Sequence, residues 1–242
     1  MKFTLKVVTL LVACYAENSA AAVAMDRTRV ILNGNEESVS VVVTNNNEKL
    51  PYLAQAWIEN ANGVKISSPI AVVPPIQRLE PKKKSQIRLD ALPAVKQLPQ
   101  DRESVYYFNL REIPPRTDKP NTLQIALQTK VKLFYRPAAI VPAENSYLNP
   151  WQEKLTVKKN GGSITINNPT PYFITLIDIK SSAKGKAVKG FKPVMIAPKS
   201  DKELNINSSE LGSSPLITYI NDYGGRPEMH FSCNGNLCTK SK

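Results

Sequence analysis

The chain has 242 residues and a formal net charge of +12, from 32 Lys and Arg against 20 Asp and Glu. It contains one histidine and three cysteines, which leaves few residues for the commonest general base or for a thiolate metal site. It also lacks a glycine-flanked nucleophilic serine, a paired-histidine zinc helix and a phosphate-binding glycine loop. The sequence therefore argues against an enzyme, a metal protein or a cofactor-dependent protein.

The N-terminus has the pattern of an export signal. Two lysines precede the apolar run 7–13, and small residues at 19–21 fit a cleavage site, so residues 1–21 are predicted to be removed. The apolar run is too short to span a membrane, and the mature protein is expected to be exported and not membrane-embedded. Cys14 also fits the short pattern of a lipid-attachment site, and that alternative stays open. Loss of the signal lowers the formal charge from +12 to +11.

Short strand-like segments follow one another along the chain. In order they are 29–32, 38–43, 52–58, 86–89, 105–110, 121–137, 155–157, 163–166, 172–179, 194–196, 216–219, 228–233 and 237–239. Turn residues separate them about every eight to twelve positions, which is typical of β-sandwiches, and no stretch has the pattern of a long amphipathic helix. The proline-bounded segment 138–142 is a candidate hinge between two domains, 22–140 and 141–242.

The longest predicted strand, 121–137, has an apolar stripe. Leu123, Ile125 and Leu127 alternate with polar residues, so their side chains share one face of the strand. They are either core residues of an ordinary sandwich or an exposed edge that adds a strand to a partner protein. The alternation alone favours the core interpretation.

Cys233 and Cys238 remain after removal of the signal. The residues between them include one Gly and two Asn, which suit a tight turn between strands. In an exported protein a disulfide is the default for such a pair, and a metal site is less well supported because His230 is the only histidine. The bond would close a small loop and pin a hairpin more than it would hold the fold.

The basic residues are scattered, apart from the triplet 82–84, which follows a proline and fits a solvated turn. No basic groove interleaved with aromatic residues stands out, so no nucleic-acid partner is expected. A polyanion binder would lose affinity steeply with salt, as counterion release requires.

Seven stretches, spread over nearly the whole chain after residue 21, carry a resemblance to one family. They are 26–29; Asn45 with 51–57; Pro75 with 78–81; 108–114; the strand 121–137; 168–172; and 220–225. Each is weak alone, but together they make the chain similar to the PapD-like periplasmic pilus chaperones. The short segment between Phe108 and Leu123, with no cysteine in the first domain, resembles the short-loop subfamily that serves rod-shaped adhesive pili.

The resemblance implies an all-β protein of two immunoglobulin-like β-sandwich domains around a cleft, in a boomerang or L shape. It implies a periplasmic chaperone that binds, folds and caps pilus subunits, both pilins and adhesin, by donor-strand complementation. The chaperone would then deliver them to the outer-membrane usher. Self-association without a client is left open. The alternative is a structural or adhesive β-sandwich component of the fibre itself.

The resemblance also implies roles for individual residues. Arg29 and Lys132 match the pair that holds the C-terminal carboxylate of the subunit, for which charge-assisted hydrogen bonds from two cations are well suited. Leu123, Ile125 and Leu127 match the donor-strand residues that enter the groove of the subunit.

Glu103, Arg136 and Asp222 match an interdomain charge network that would set the angle between the domains more than it would add stability. One conflict arises on the strand 121–137, where strict alternation puts Lys132 on the face opposite Leu127. A bulge, strand twist or an approach to Lys132 from the cleft side would each reconcile the two roles.

Overall fold

The computed structural model describes residues 21–117, 123–143 and 148–241. Apart from Ala21, the predicted signal 1–21 lies outside this part of the chain, as do Cys14 and residues 121 and 122 of the longest predicted strand. The described ranges contain eighteen strands, with helical structure only in short 3₁₀ turns. The predicted all-β class is therefore confirmed.

Ten strands precede the hinge and eight follow it. The first ten are β1 (Val23–Met25), β2 (Arg29–Asn33), β3 (Ser38–Asn45), β4 (Tyr52–Glu59), β5 (Lys65–Ile66), β6 (Ile70–Val73), β7 (Ile76–Leu79), β8 (Lys84–Ala91), β9 (Ser104–Ile113) and β10 (Gln128–Arg136). The others are β11 (Thr156–Lys159), β12 (Ile164–Asn168), β13 (Ile174–Lys180), β14 (Val194–Ile196), β15 (Ser200–Leu204), β16 (Leu216–Ile220), β17 (Glu228–Asn234) and β18 (Leu237–Lys240).

The first domain is a sandwich of two sheets. One sheet has the order β1-β3-β8-β6, and the other has the order β2-β10-β9-β4-β5, with β7 also paired to β4. Alternation explains the packing: Val41 and Val43 of β3 and Ile87 and Leu89 of β8 are fully buried, with more exposed residues between them. These side chains belong to one hydrophobic core that the two sheets enclose.

The second domain has its own core and a single eight-stranded order, β14-β13-β16-β17-β18-β11-β12-β15. The sheet folds over because β17 changes partner: its first residues pair with β16 and its last residues pair with β18. Fully buried Phe231 lies near this change and packs into the core of the second domain. Two separate cores agree with the predicted two-domain fold.

The strand predicted at 121–137 is shorter than expected, because β10 begins at Gln128. β10 pairs with β9 in an unbroken register that sets Gln128 opposite Arg111. That register puts position 126 opposite Ile113, the last residue of β9, so residues 123–125 lie beyond any partner strand in the described ranges. Residues 123–125 therefore lie past the end of the sheet, whereas residues 126 and 127 lie opposite the end of β9 without being part of a strand.

Some edge strands were not predicted. β6 and β7 flank the prolines at 74 and 75, and the prolines led to the interpretation of this region as a loop. Each of these strands pairs on one side only. A proline, which has no N–H to donate, is tolerated beside such an edge because no second partner strand needs that hydrogen bond. β15 pairs only with β12, and its sequence, Ser-Asp-Lys-Glu-Leu, is too polar to indicate a strand.

The hinge packs closely against the end of β2. The Gly34 N–H donates to the Arg136 carbonyl at 2.7 Å, and a Cβ atom at Gly34 would lie 2.6 Å from the backbone nitrogen of Ala138. A 3₁₀ turn, Ala138–Ile140, follows directly. A glycine at this position therefore allows the first domain to hold the start of the hinge against its own sheet.

The predicted disulfide is present and joins Cys233 of β17 to Cys238 of β18, which lie directly opposite each other. We expect the double substitution Cys233→Ser and Cys238→Ser to lower the free energy of unfolding of the second domain by about 2 kcal/mol, because the closed loop is short. Urea unfolding monitored by circular dichroism measures this. A loss of the whole fold would contradict the expectation that the bond only pins a hairpin.

Candidate functional site

The two faces of β10 serve different parts of the molecule. Its odd-numbered side chains from 131 to 135 pack in the core of the first domain, whereas its even-numbered side chains from 132 to 136 face the second domain. The Lys132 amine donates to the Thr175 hydroxyl at 3.1 Å, and the rings of Phe134 and Phe173 have centroids 5.8 Å apart. No bulge interrupts β10 in its pairing with β9, so the cleft-side approach explains how Lys132 lies opposite the apolar stripe.

Arg29 and Lys132, which we call the cationic pair, lie side by side at the mouth of the cleft. Arg29 is the first residue of β2, and β2 runs parallel to β10 with Arg29 opposite Lys132. The guanidinium of Arg29 makes one long hydrogen bond, 3.4 Å, to the Ile220 carbonyl, and its buried Nε has no partner. Among the ion pairs of the described residues, none includes Arg29 or Lys132.

Burial dominates the electrostatics of the cationic pair. Burial lowers the pKa of Arg29, and the more distant Asp222 and Glu103 offset this only in part. Burial also lowers the pKa of Lys132, and the neighbouring positive charge of Arg29 lowers it further. Two partly desolvated cations without a counterion form a site that favours an anion, and a carboxylate can take hydrogen bonds from both.

Arg136 lies deeper in the cleft and joins Glu103 to Asp222, as the resemblance implies. Its guanidinium is 2.7 Å from a Glu103 oxygen and 2.9 Å from an Asp222 oxygen. The second Glu103 oxygen accepts the Phe173 N–H at 2.8 Å, so Glu103 of the first domain contacts the second domain directly. These three side chains form the interdomain network, and Arg136 and Glu103 are almost fully buried.

Burial and the neighbouring charges act in opposite directions on the pKa values of Glu103 and Arg136. Burial opposes the charge on Arg136, but the carboxylates of Glu103 and Asp222 outweigh it and raise the pKa of Arg136. Burial raises the pKa of Glu103 as well, although Arg136 and the Phe173 N–H act against that. A buried ion pair with such a desolvation cost fixes geometry better than it adds stability.

Two aromatic residues for which no role was predicted, Trp151 and Tyr172, pack against Arg136 of the interdomain network. The Arg136 guanidinium carbon lies 5.3 Å from the ring centre of Trp151 and 4.9 Å from that of Tyr172, and the two ring centres are 4.4 Å apart. The Tyr172 hydroxyl donates to the Ile140 carbonyl at 2.6 Å and so ties the hinge to the second domain. In the sequence, the one signal for this interdomain role is the position of Trp151 soon after the proline-bounded segment 138–142.

The apolar stripe is exposed, so the core interpretation of it does not hold. Leu123, Ile125 and Leu127 are 83%, 62% and 42% exposed. We call residues 123–127 the donor segment. It leads directly into β10, and the Leu127 carbonyl accepts the Glu112 N–H at 3.0 Å, which anchors the end of the segment to the sheet. Three apolar side chains at alternate positions are thus presented to solvent on an anchored backbone.

One edge of β10 is open beside the donor segment. β2 covers that edge only from Lys132 onward, and no described strand pairs with residues 128–131 on that side. The open edge therefore ends where β2 begins, at Arg29. Behind the cationic pair a cleft of about 680 Å³ lies between the domains, with Arg29 and Arg136 among its lining residues.

Comparisons with known proteins agree with this architecture. Residues 22–141 match the family model described as "Pili and flagellar-assembly chaperone, PapD N-terminal domain". Residues 150–231 match the model "Pili assembly chaperone PapD, C-terminal domain". No helix in the described ranges has the length and apolar character needed to cross a membrane.

Individual relatives extend the match over most of the chain. The chaperone protein PapD of Escherichia coli is 51% identical, over 92% of this chain and 91% of its own. The crystal structure of the periplasmic chaperone SfaE is 32% identical and covers 86% of this chain and 98% of its own, with a TM-score of 0.67. The SafB chaperone in complex with the SafA pilin of Salmonella enterica, 24% identical with a TM-score of 0.73 over 89% of this chain and 98% of its own, shares the fold. Both domains, their sequence identity and their fold thus lead to one conclusion: the chain belongs to the family of PapD-like pili assembly chaperones.

Proposed function

We propose that this protein is a periplasmic chaperone that binds, folds and caps pilus subunits, and then delivers them to an outer-membrane usher. Family membership supports the chaperone role. The observation that carries the mechanism is the open edge of β10, which is continuous with the exposed donor segment and stops at the cationic pair. The protein would supply a strand to a subunit that lacks one.

The register of β2 and β10 supports one orientation for the captured strand. A strand added at the open edge would lie in line with β2, ahead of Arg29. If it ran parallel to β10, as β2 does, its C-terminal end would arrive at Arg29 and Lys132. Its terminal carboxylate would then supply the counterion that the cationic pair lacks, and the Arg fork allows two parallel hydrogen bonds to it.

The donor segment would provide the apolar part of the contact. Leu123, Ile125 and Leu127 have the same parity as the core-facing residues of β10, so they continue the apolar face of the strand past the edge of the domain. In this proposal they fill the hydrophobic groove that a missing strand leaves open in the subunit. Backbone hydrogen bonds along the edge would add affinity without sequence specificity.

The domain boundaries and the cellular location are part of the proposal. We place the signal at 1–21, the first domain at 22–140 and the second at 141–242, and the two separate cores support this division. The predicted removal of an export signal and the presence of a disulfide both suit an oxidising periplasm. An N-terminal mass for the mature protein distinguishes cleavage before Ala22 from lipid attachment at Cys14.

The alternative, a structural or adhesive component of the fibre, is not favoured. The relatives are named as chaperones, and the exposed edge ends at an anion site that an ordinary fibre subunit would not need. A purified protein that forms one-to-one complexes with subunits fits a chaperone, whereas polymers of the protein alone would fit the alternative.

We expect the triple substitution Leu123→Glu, Ile125→Glu and Leu127→Glu to abolish subunit capture without changing the stability of the protein. The side chains are exposed, so unfolding should shift by less than about 0.5 kcal/mol. Capture should fall at least roughly a hundredfold, because each apolar side chain buried in a groove contributes about 1.5–3 kcal/mol. Co-purification of pilus subunits with the tagged protein from the periplasm measures capture, and urea unfolding measures stability.

A matched control separates the donor segment from a general effect of added negative charge. It carries the same change to Glu at three other exposed apolar positions, Val64, Leu148 and Leu237. The control should capture subunits like the wild type. Equal loss in both triple variants would contradict the role of the donor segment, and unchanged capture in both would contradict strand addition as the mechanism.

A further inference from the structure

A second charged surface lies outside the cleft, on the loop between β13 and β14. Between Asp178 and Asp201 the chain has six lysines and no acidic residue. Lys199 forms an ion pair with Asp101 at 2.6 Å, and Lys180 lies 3.8 Å from Glu228. The remaining four are exposed, and their side chains have no ion-pair or hydrogen-bond partner among the described residues: Lys184, Lys186, Lys189 and Lys192.

The loop 181–193, which we call the lysine loop, is firmly attached to the domain. Val188 is 4% exposed and Phe191 packs against the same core, so two apolar anchors alternate with the lysines. The Ser181 N–H donates to the Lys186 carbonyl at 3.1 Å, and the Val188 N–H donates to the Ile179 carbonyl at 2.8 Å. The backbone that carries the four lysines, which lie within nine residues of sequence, is therefore held against the domain.

The two ends of the lysine loop lie at different distances from the cleft, because Lys192 is two residues before Val194 of β14, which pairs with Leu176 beside Thr175. β13 begins next to Thr175, whose hydroxyl contacts Lys132, and ends at Lys180. Five residues of strand separate these points by about 17 Å. A subunit held at the cationic pair and the open edge of β10 would consequently leave at least Lys184 and Lys186 uncovered, because they follow the far end of β13.

We propose that the lysine loop docks the protein onto an anionic phospholipid membrane. The charges come from Lys alone, which is a strongly hydrated point charge, and not from Arg, whose planar fork suits recognition of a single carboxylate or phosphate. They project from a loop held on the outside of the domain. Such a cluster matches an extended negative surface, to which several lysines add their attractions within a Debye length. The docking would be reversible, because no exposed aromatic or long apolar side chain of this loop is available to insert into the bilayer.

The test uses the mature protein and co-sedimentation with vesicles of phosphatidylcholine, with or without phosphatidylglycerol. We expect the wild type to bind only the vesicles that contain phosphatidylglycerol, and to lose that binding as salt rises. Replacement of the four lysines by Gln should lower the partition coefficient roughly tenfold or more. The matched control removes four exposed lysines of the first domain in the same way: Lys49, Lys83, Lys84 and Lys96.

The control should stay within roughly twofold of the wild type, because those lysines lie elsewhere on the molecule. Equal losses in both variants would overturn the proposal in favour of a simple effect of net charge. No binding of the wild type to either vesicle would also overturn it and would leave an acidic protein as the better partner. Thermal unfolding checks that both variants fold. Subunit capture by the loop variant is a separate readout that should not change, so failure here would not bear on the chaperone function.

Discussion

Lys132→Met should abolish subunit capture while leaving the protein as stable as the wild type or more so. The lysine is half-buried beside Arg29 and has no acidic partner in the described structure, so its charge is unfavourable in the folded chain. Removing it relieves that penalty, and the gain could reach about 1 kcal/mol. The same change should cost capture about 2–5 kcal/mol, because a buried carboxylate would lose one of its two cations.

The predicted effect of Lys132 on stability can be checked by measuring how the stability difference between Lys132→Met and the wild type changes with pH. Burial and the neighbouring Arg29 hold the pKa of Lys132 below its usual 10.5 when the chain is folded. The unfolded chain therefore binds this proton more tightly, and the destabilisation is fully present below the folded pKa. It disappears as the pH rises through the folded pKa towards 10.5. The stability advantage of Lys132→Met over the wild type should shrink over that alkaline range.

The measurements are thermal unfolding and subunit co-purification on the same preparations. Lys158→Met is the control, since Lys158 is an exposed lysine on β11 in the second domain and should alter neither quantity. Arg29→Ala should behave like Lys132→Met in capture. A fall of several degrees in the unfolding temperature of Lys132→Met would show that the lysine supports the fold, and retained capture would show that it does not hold the carboxylate.

Glu103→Ala should have the largest effect on stability. It removes the partner of an arginine whose side chain is only 5% exposed, and it leaves the Phe173 N–H without its acceptor. Breaking a buried pair in this way costs about 3–5 kcal/mol. Asp222 still contacts Arg136, so the loss should lie towards the lower part of that range.

A double variant separates the effect of the interdomain network on the orientation of the domains from its effect on stability. Glu103→Leu with Arg136→Met removes both buried charges and should be less destabilising than Glu103→Ala, since the only charge left without its partner is that of Asp222, which is partly exposed. It should still capture subunits poorly, because the charge network that helps to fix the angle between the domains would be gone. Asp90→Ala, which breaks an exposed ion pair with Arg88, is the control and should cost less than about 1 kcal/mol. Normal capture by the double variant would contradict the orienting role.

The sequence predicts the class of fold well because period-2 alternation is a direct consequence of strand geometry. It fails at β6 and β7, where prolines at sheet edges look like loops, and at β15, which pairs on one side and needs no apolar character. The donor segment illustrates a different difficulty. Alternation shows which side chains share a face, but it does not show whether another layer covers that face.

The site residues could be predicted only through the resemblance. Arg29 and Lys132 are about a hundred positions apart, and only the register of β2 against β10 brings them together. No local pattern encodes that register. The stacking of Trp151 and Tyr172 on Arg136 depends on how two domains meet, which a periodicity within one strand does not describe.

In the proposed mechanism, the alignment of β2 with the open edge would let the first domain select clients by the length of their C-terminal strand. Arg29 would stop the incoming strand at a fixed position, and the donor segment lies at a fixed number of residues before that position. Because strand side chains alternate, one extra residue at the end of a client would turn its apolar side chains to the wrong face, whereas two would restore the face and shift the match. Clients would thus be sorted by the parity of their C-terminal spacing as well as by their composition.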